Sequence, residues 1–205
     1  MTAFDFYSIG HSNIPAERFV AMLCAAGVSA VADVRSVPAS RFCPWFSAKN
    51  LAPLLAQNQF IYLPYGAALG GRPQRSDLYC DGIADYEAMA RQPEFETGLQ
   101  RLIADGARYR AAGRSIGHIC MMCAEREPLD CHRCLLVARA VAARGFAIGH
   151  ILHDGKIEPH AAIEQRLLKA EDDDGSDLFA TGQQDRLAAA YRRRARAVAY
   201  RQKTN

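Results

Sequence analysis

The chain reads as an α/β protein: a three-layer sandwich with a mainly parallel sheet of about five strands, plus a helical C-terminal tail. Two observations predict this. Short apolar segments rich in β-branched residues alternate with segments whose apolar residues recur at helical spacing. Glycine, proline and small polar residues punctuate the boundaries between them. Right-handed crossovers between parallel strands then place helices on both faces of the sheet.

The elements follow in order. Phe4 to Ile9 is the first strand, and GHSN follows it. Pro15 suits the first position of a helix whose stripe is Phe19, Met22, Leu23 and Ala26, with Gly27 as its stop. Ser29 to Val34 is the second strand, and Ser47 suits the cap of a short helix reaching Leu55. Gln59 to Leu63 is the third strand and enters a long loop holding Gly66, Gly70, Gly71 and Pro73. A helical stretch begins near Ile83, and Pro93 opens a longer helix with Phe95, Leu99, Leu102, Ile103 and Ala107 inward. Arg114 to Met122 is the fourth strand, with a helix over Cys131 to Arg144. Ala147 to Leu152 is the fifth strand, His153 to Lys156 a turn, and Pro159 to Lys169 a helix. Analogy with dinucleotide-binding sheets suggests a strand order of 3-2-1-4-5, and it carries no implication about cofactor.

A length of 205 residues fits one domain with an extension. The α/β domain is assigned to residues 1–170, and an acidic linker and basic helical tail to residues 171–205. No apolar run approaches the roughly 20 residues that cross a bilayer, and the first residues lack the pattern of a secretion signal. A cytoplasmic protein with no membrane partner is expected, its seven cysteines reduced rather than paired into a disulfide framework. The net charge of +3 hides an asymmetry: residues 186–205 hold seven basic side chains and no acidic one, against 18 basic and 22 acidic elsewhere. Such a tail either grips nucleic acid or another anionic surface, or docks on the acidic body.

Three clusters of reactive residues fall at strand C-termini. They are Gly10-His11-Ser12-Asn13, Asp33-Val34-Arg35, and Cys123-Ala124-Glu125 with Cys131-His132-Arg133. Parallel strands put all three on one rim, the edge where ligands bind in open α/β sheets. Together with Leu69-Gly70-Gly71, these motifs resemble the family catalogued as domain of unknown function 488. The resemblance implies an α/β fold and a site, and it implies no reaction. By position it marks His11, Ser12, Asp33, Arg35, Gly70, Gly71, Cys123, Glu125, Cys131, His132 and Arg133, while Cys120 and Cys134 fall outside its pattern.

The chemistry of these residues leaves several readings open. Cys131, beside Arg133 and His132 at a helix start, is either a thiolate nucleophile or a buried cap. Arg35 and Arg133 suit phosphate or carboxylate, or form structural ion pairs with Asp33 and Glu125. His11, Glu125 and His132 are acid–base candidates. Ser12, Asp33, Gly70 and Gly71 are expected to line the substrate. No Walker loop or dinucleotide fingerprint is present, so no cofactor is expected. The double Cys-x-x-Cys, Cys120/Cys123 and Cys131/Cys134, raises zinc, with Cys123, Cys131 and Cys134 or His132 as the ligands if it binds. Cys120 points away from Cys123 if the strand is regular.

The leading expectation is an enzyme acting on an anionic, phosphate-bearing partner, a nucleotide or nucleic acid. A nucleic-acid-binding module without catalysis and a zinc or redox protein are the alternatives.

Overall fold

Strands buried along nearly their whole length organise the molecule around one central sheet. The structure is a computed structural model that describes residues 4–111, 117–172 and 182–202. Strands β1 (Phe6–Gly10), β2 (Val28–Asp33) and β3 (Ile61–Pro64) come first, then a small antiparallel pair, β4 (Tyr79–Cys80) and β5 (Ile83–Ala84). Strands β6 (His118–Cys123), β7 (Ile148–Ile151) and β8 (Ile157–Pro159) complete the set. The main sheet has the order β3-β2-β6-β1-β7-β8. All its pairs are parallel except β7 with β8, a hairpin closed by the turn predicted at His153 to Lys156.

The helices form the outer layers. Helices α1 (Ala16–Ala25) and α2 (Ala48–Gln57) cover one face, where Phe19, Leu23, Leu51 and Leu55 pack on Tyr7, Ile9, Val31 and Met122. The other face carries α3 (Gly66–Leu69), α4 (Tyr86–Ala90), α5 (Pro93–Ala111), the helical segment after β6, α7 (His160–Asp172) and α8 (Gln183–Val198). The segment after β6 is a π-helical turn, Arg133–Ala138, continuing into α6 (Arg139–Ala142). Crossovers toward β3 use one face and those toward β7 the other, as a single handedness requires. This is the three-layer arrangement that the alternating pattern predicts.

In the predicted numbering the strand order is 3-2-4-1-5, so the first and fourth strands exchange places relative to expectation. The physical reason is that β1 is buried along its whole length and β6 along all but its first residue. Both strands are apolar on both faces, so local pattern cannot rank them. The exchange matters. Strand β6 now lies between β1 and β2, and the chain leaves β1 toward β2 but leaves β6 toward β7. This reversal is the topological switch point, and it opens at Gly10 and Cys123.

Local departures have local causes. Ser47 stands at the start of α2, but its hydroxyl bonds the Ser40 backbone instead of capping the helix. Residues near Ile83 form β5 before Asp85 caps α4 through the Glu87 and Ala88 amides. The start predicted for the fourth strand and most of the acidic stretch after Lys169 lie outside the described residues.

The C-terminal helix is packed into the body. Ala190, Tyr191 and Ala199 are buried, with Leu187, Ala195 and Val198 beside them. Past α8 the chain extends, and Tyr200 and Gln202 exchange backbone bonds with Ala84 and Gly82. Arg192, Arg194 and Arg196 meet Glu87, Asp130 and Asp81, the docking alternative for the basic tail. Among the described residues no helix is long and apolar enough to cross a membrane.

Candidate functional site

The strand C-termini build the site in layers. At the end of β1, the His11 and Ser12 amides donate to the Cys123 and Ala124 carbonyls, so the GHSN segment is stitched to the end of β6. At the end of β2, the Asp33 carboxylate accepts Arg35 Nε at 2.8 Å and Nη2 at 2.6 Å. The Tyr62 hydroxyl and the Arg35 amide also donate to it, at 2.8 and 3.1 Å. Arg35 Nη1 then donates to His11 Nε2 at 3.1 Å. An arginine cannot accept, so His11 must carry its proton on Nδ1, which donates to the Ser12 carbonyl at 2.9 Å. Burial and the Arg35 charge push His11 down to about 4, in agreement with a neutral ring. The ring also stacks on Phe46 at 4.2 Å. These buried groups form one ordered unit.

The second unit gathers around β6. Cys123 Sγ and Cys131 Sγ lie 2.8 and 3.0 Å from the same oxygen, Glu125 Oε2. His132 Nδ1 faces both sulfurs, at 3.7 Å from Cys123 and 3.9 Å from Cys131. Its other nitrogen, Nε2, donates to the Val34 carbonyl at 2.8 Å. That bond ties the two units together and leaves Nδ1 free to accept. Gly71 packs flat against the ring: a Cβ there would come within 2.6 Å of His132 Cγ. Burial raises the Cys123 thiol, and its hydrogen bond to Cys131 raises it further. Burial also acts to raise Cys131, but the Cys123 hydrogen bond, the Arg133 charge and His132 outweigh it and hold that thiol well below its ordinary value. Glu125 is raised by burial and then by the Cys131 thiolate. His132 is raised because the thiolate overcomes the effect of burial.

Cys131 has extended backbone and precedes the helical turn. Its carbonyl accepts from Cys134 and Leu135, and its sulfur accepts the Arg133 amide at 3.4 Å. The buried sulfur therefore sits as a cap on the turn, and the same surroundings favour its thiolate.

Arg133 does not reach the cleft. It is fully buried, and its Nη1 and Nη2 donate to the Glu125 and Arg126 carbonyls at 2.6 and 3.2 Å. It holds the loop that carries Glu125, and Gly10 is required where that loop crosses β1, since a Cβ would lie 1.8 Å from the Glu125 carbonyl oxygen. Ser12, with left-handed backbone at φ 44°, bonds Asn13 outside the cleft. Gly70 packs on Ser36 and lines a neighbouring pocket instead of the cleft. Cys134 faces a different cluster, with His150 and His160. Cys120 packs on the opposite face of the sheet from Cys123.

A cleft of about 280 Å³ opens above these units, with Arg35, Gly71, Cys123, Glu125 and His132 in its lining. Sequence reasoning missed Arg72, Tyr86, Val198 and Tyr200, which also line it. Arg72 lies 4.8 Å over the Tyr200 ring, a contact spanning most of the chain. No local signal announces it, because Tyr200 arrives only when α8 docks.

Fold and site together define a three-layer α/β protein with a thiol-, carboxyl- and imidazole-bearing cleft at its switch point. The chain belongs to the family described as Domain of unknown function DUF488, whose model matches residues 15–140. That span includes Arg35, Glu125 and the Cys131-His132-Arg133 motif, and it leaves out His11, Ser12 and α8. Neither a curated protein nor a solved structure matches the chain.

Proposed function

We propose that the chain is an enzyme that acts on a small anionic substrate bearing a phosphate group. One observation carries this reading. Arg72, which meets no carboxylate among the described residues, lines the same cleft as Cys123, Glu125 and His132. Asp33 already neutralises Arg35 through a bidentate pair, so Arg72 supplies the uncompensated positive charge. Held 4.8 Å over the Tyr200 ring, its guanidinium donates to no side-chain acceptor among the described residues, which leaves its N–H groups for phosphate oxygens. Arg35 orders the floor and offers the N–H groups that Asp33 and His11 leave free.

Glu125 is the acid–base group in this reading. Its raised carboxyl suits proton transfer nearer neutral pH than an ordinary glutamate allows. His11 is a neutral positioning residue, since both its ring nitrogens are already bonded. The arginines of α8 that meet Glu87, Asp130 and Asp81 speak for a small phosphate ester or nucleotide over a nucleic-acid strand.

Thermal-shift titration with phosphate monoesters and nucleoside mono-, di- and triphosphates tests the reading. At least one compound should raise the unfolding temperature of the wild-type chain and leave Arg72→Ala unmoved. A panel without a stabilising member, or equal stabilisation of Arg72→Ala, overturns it.

A further inference from the structure

We propose that Cys123, Glu125, Cys131 and His132 hold a single divalent transition-metal ion, zinc in preference to harder cations, at the floor of the cleft. The site goes beyond the substrate reading above and stands without it. Four ligand atoms, two sulfurs, one imidazole nitrogen and one carboxylate oxygen, lie within 4.8 Å of one another. Thiolate and imidazole are soft and borderline donors, which select zinc over magnesium or calcium.

The distances fit the chemistry. With zinc at about 2.3 Å from sulfur and 2.0–2.1 Å from nitrogen, a tetrahedron separates the two donors by about 3.5 Å. The observed separations from His132 Nδ1 are 3.7 and 3.9 Å. Glu125 Oε2 sits closer to the sulfurs than a tetrahedral edge and must swing outward by about half an ångström to ligate. It has room for that, because Glu125 borders solvent as a residue and only its carboxyl turns in against the buried Cys123, Cys131 and His132.

The surroundings are those of a ligand set. His132 is oriented by its Nε2–H bond to the Val34 carbonyl, the outer contact that fixes a metal-binding imidazole. Gly71 closes on the ring and prevents it from turning away. The Arg133 amide points at the Cys131 sulfur, as expected for a ligand thiolate with an N–H partner. Binding releases the remaining thiol protons to solvent as the sulfurs become ligands. With Glu125 on the cleft side, its release from the ion on substrate binding would free its carboxylate for the acid–base role.

The neighbouring group of Cys134, His150 and His160 lacks this property, although its ligand atoms are equally close. Each of its imidazole nitrogens is already engaged by the chain.

The test uses the full chain, purified anaerobically without chelator and with a tag free of histidine. Elemental analysis should find close to one zinc per chain. Cys131→Ser and His132→Ala should each lower zinc affinity by about tenfold or more, while Cys134→Ser and His160→Gln retain the metal. Because a floor variant can misfold, cobalt(II) is also titrated into chelator-stripped wild-type protein. Thiolate-to-cobalt charge-transfer absorption with intense tetrahedral visible bands is expected, and zinc should displace it. Reduced wild-type protein that neither carries metal nor gives those bands overturns the proposal. So does a Cys123–Cys131 disulfide in freshly isolated protein, which would make the pair a redox couple. Wild-type protein that neither carries nor takes up metal, yet binds a phosphate ester through Arg72, would refute the metal alone. Metallated protein blind to every phosphate ester would refute only the substrate reading.

Discussion

Two histidine–cysteine clusters come within two residues of each other along the chain, at His132 and Cys134, and they are built on opposite principles. In the first, Cys123, Glu125, Cys131 and His132 turn their sulfur, oxygen and nitrogen atoms toward one another, and the side-chain partners of these atoms stay within the cluster. In the second, Cys134 stands beside a hydrogen-bonded relay that runs from Ser8 through His150 and His160 to Tyr191 and Glu164. The relay has one polarity. Tyr191 gives its only proton to Glu164, so His160 donates through Nε2, accepts through Nδ1 from His150, and His150 accepts from Ser8. Both rings are neutral, and burial lowers both. Residue type and burial are therefore poor guides to a site. What separates the clusters is what the imidazole nitrogens already meet: in the relay, the Ser8 and Tyr191 hydroxyls and the other ring, and at His132 Nδ1 only the sulfurs of its own cluster.

The largest effect that sharpens this contrast is removal of α8. Deleting residues 183–205 strips Tyr191 from the relay and uncovers the core beneath Ala190 and Ala199. A loss of about 5 kcal/mol or more is expected from exposed apolar surface and broken buried hydrogen bonds. Denaturant unfolding should lose its cooperative transition. A truncated chain that unfolds cooperatively near the wild-type midpoint would show the helix to be an appendage.

Acid comes next. His160 is lowered to about 4, from about 6.5 in the unfolded chain. The fold therefore holds it neutral, and the unfolded chain takes up its proton first. Stability is complete above about 6.5 and falls as pH drops toward 4, by about 3 kcal/mol for this imidazole. Unfolding temperatures measured from pH 7 to pH 4 should fall over that window. The fall should be shallower in His160→Phe, whose ring cannot titrate.

At neutral pH, His160→Phe should cost about 2–3 kcal/mol, since His150 and Tyr191 lose a partner inside the core. It should leave metal content unchanged. Loss of metal together with stability would show that the two clusters are coupled, and the contrast between them would fail.

The smallest structural effect belongs to Arg72→Ala. Its guanidinium meets the Tyr200 ring at the cleft wall, so its removal should cost less than about 1 kcal/mol. Phosphate-ester binding should disappear nonetheless. A large loss of stability would recast Arg72 as a strut for the C-terminal segment.

Much of the frame is legible locally. Helix and strand alternate where the apolar spacing predicts, and Gly27, at φ 65°, stops α1 where an L-residue would be strained. His11, Asp33, Arg35, Glu125 and His132 fall on one rim because parallel strands share a polarity, whatever their order. The sorting of the cysteines was less visible. Cys131 and Cys134 are spaced as if to share a helix face, but Cys131 lies in extended chain before the turn begins. Arg72 and Tyr200 could not be paired beforehand, since their contact depends on how α8 docks.

By itself, then, the sequence determined the three-layer class and the rim on which the reactive residues gather. Both follow from period and polarity, which are properties of short segments. Tertiary structure decided which strands are neighbours, because strands apolar on both faces fit several positions equally well. It decided too that Arg133 braces a loop while Arg72 faces the cleft, and that His132 turns one nitrogen to two sulfurs while both nitrogens of His150 are taken by Ser8 and His160. Those distinctions rest on partners distant in the chain, and a side chain's chemistry depends on which of its polar atoms those partners have already engaged.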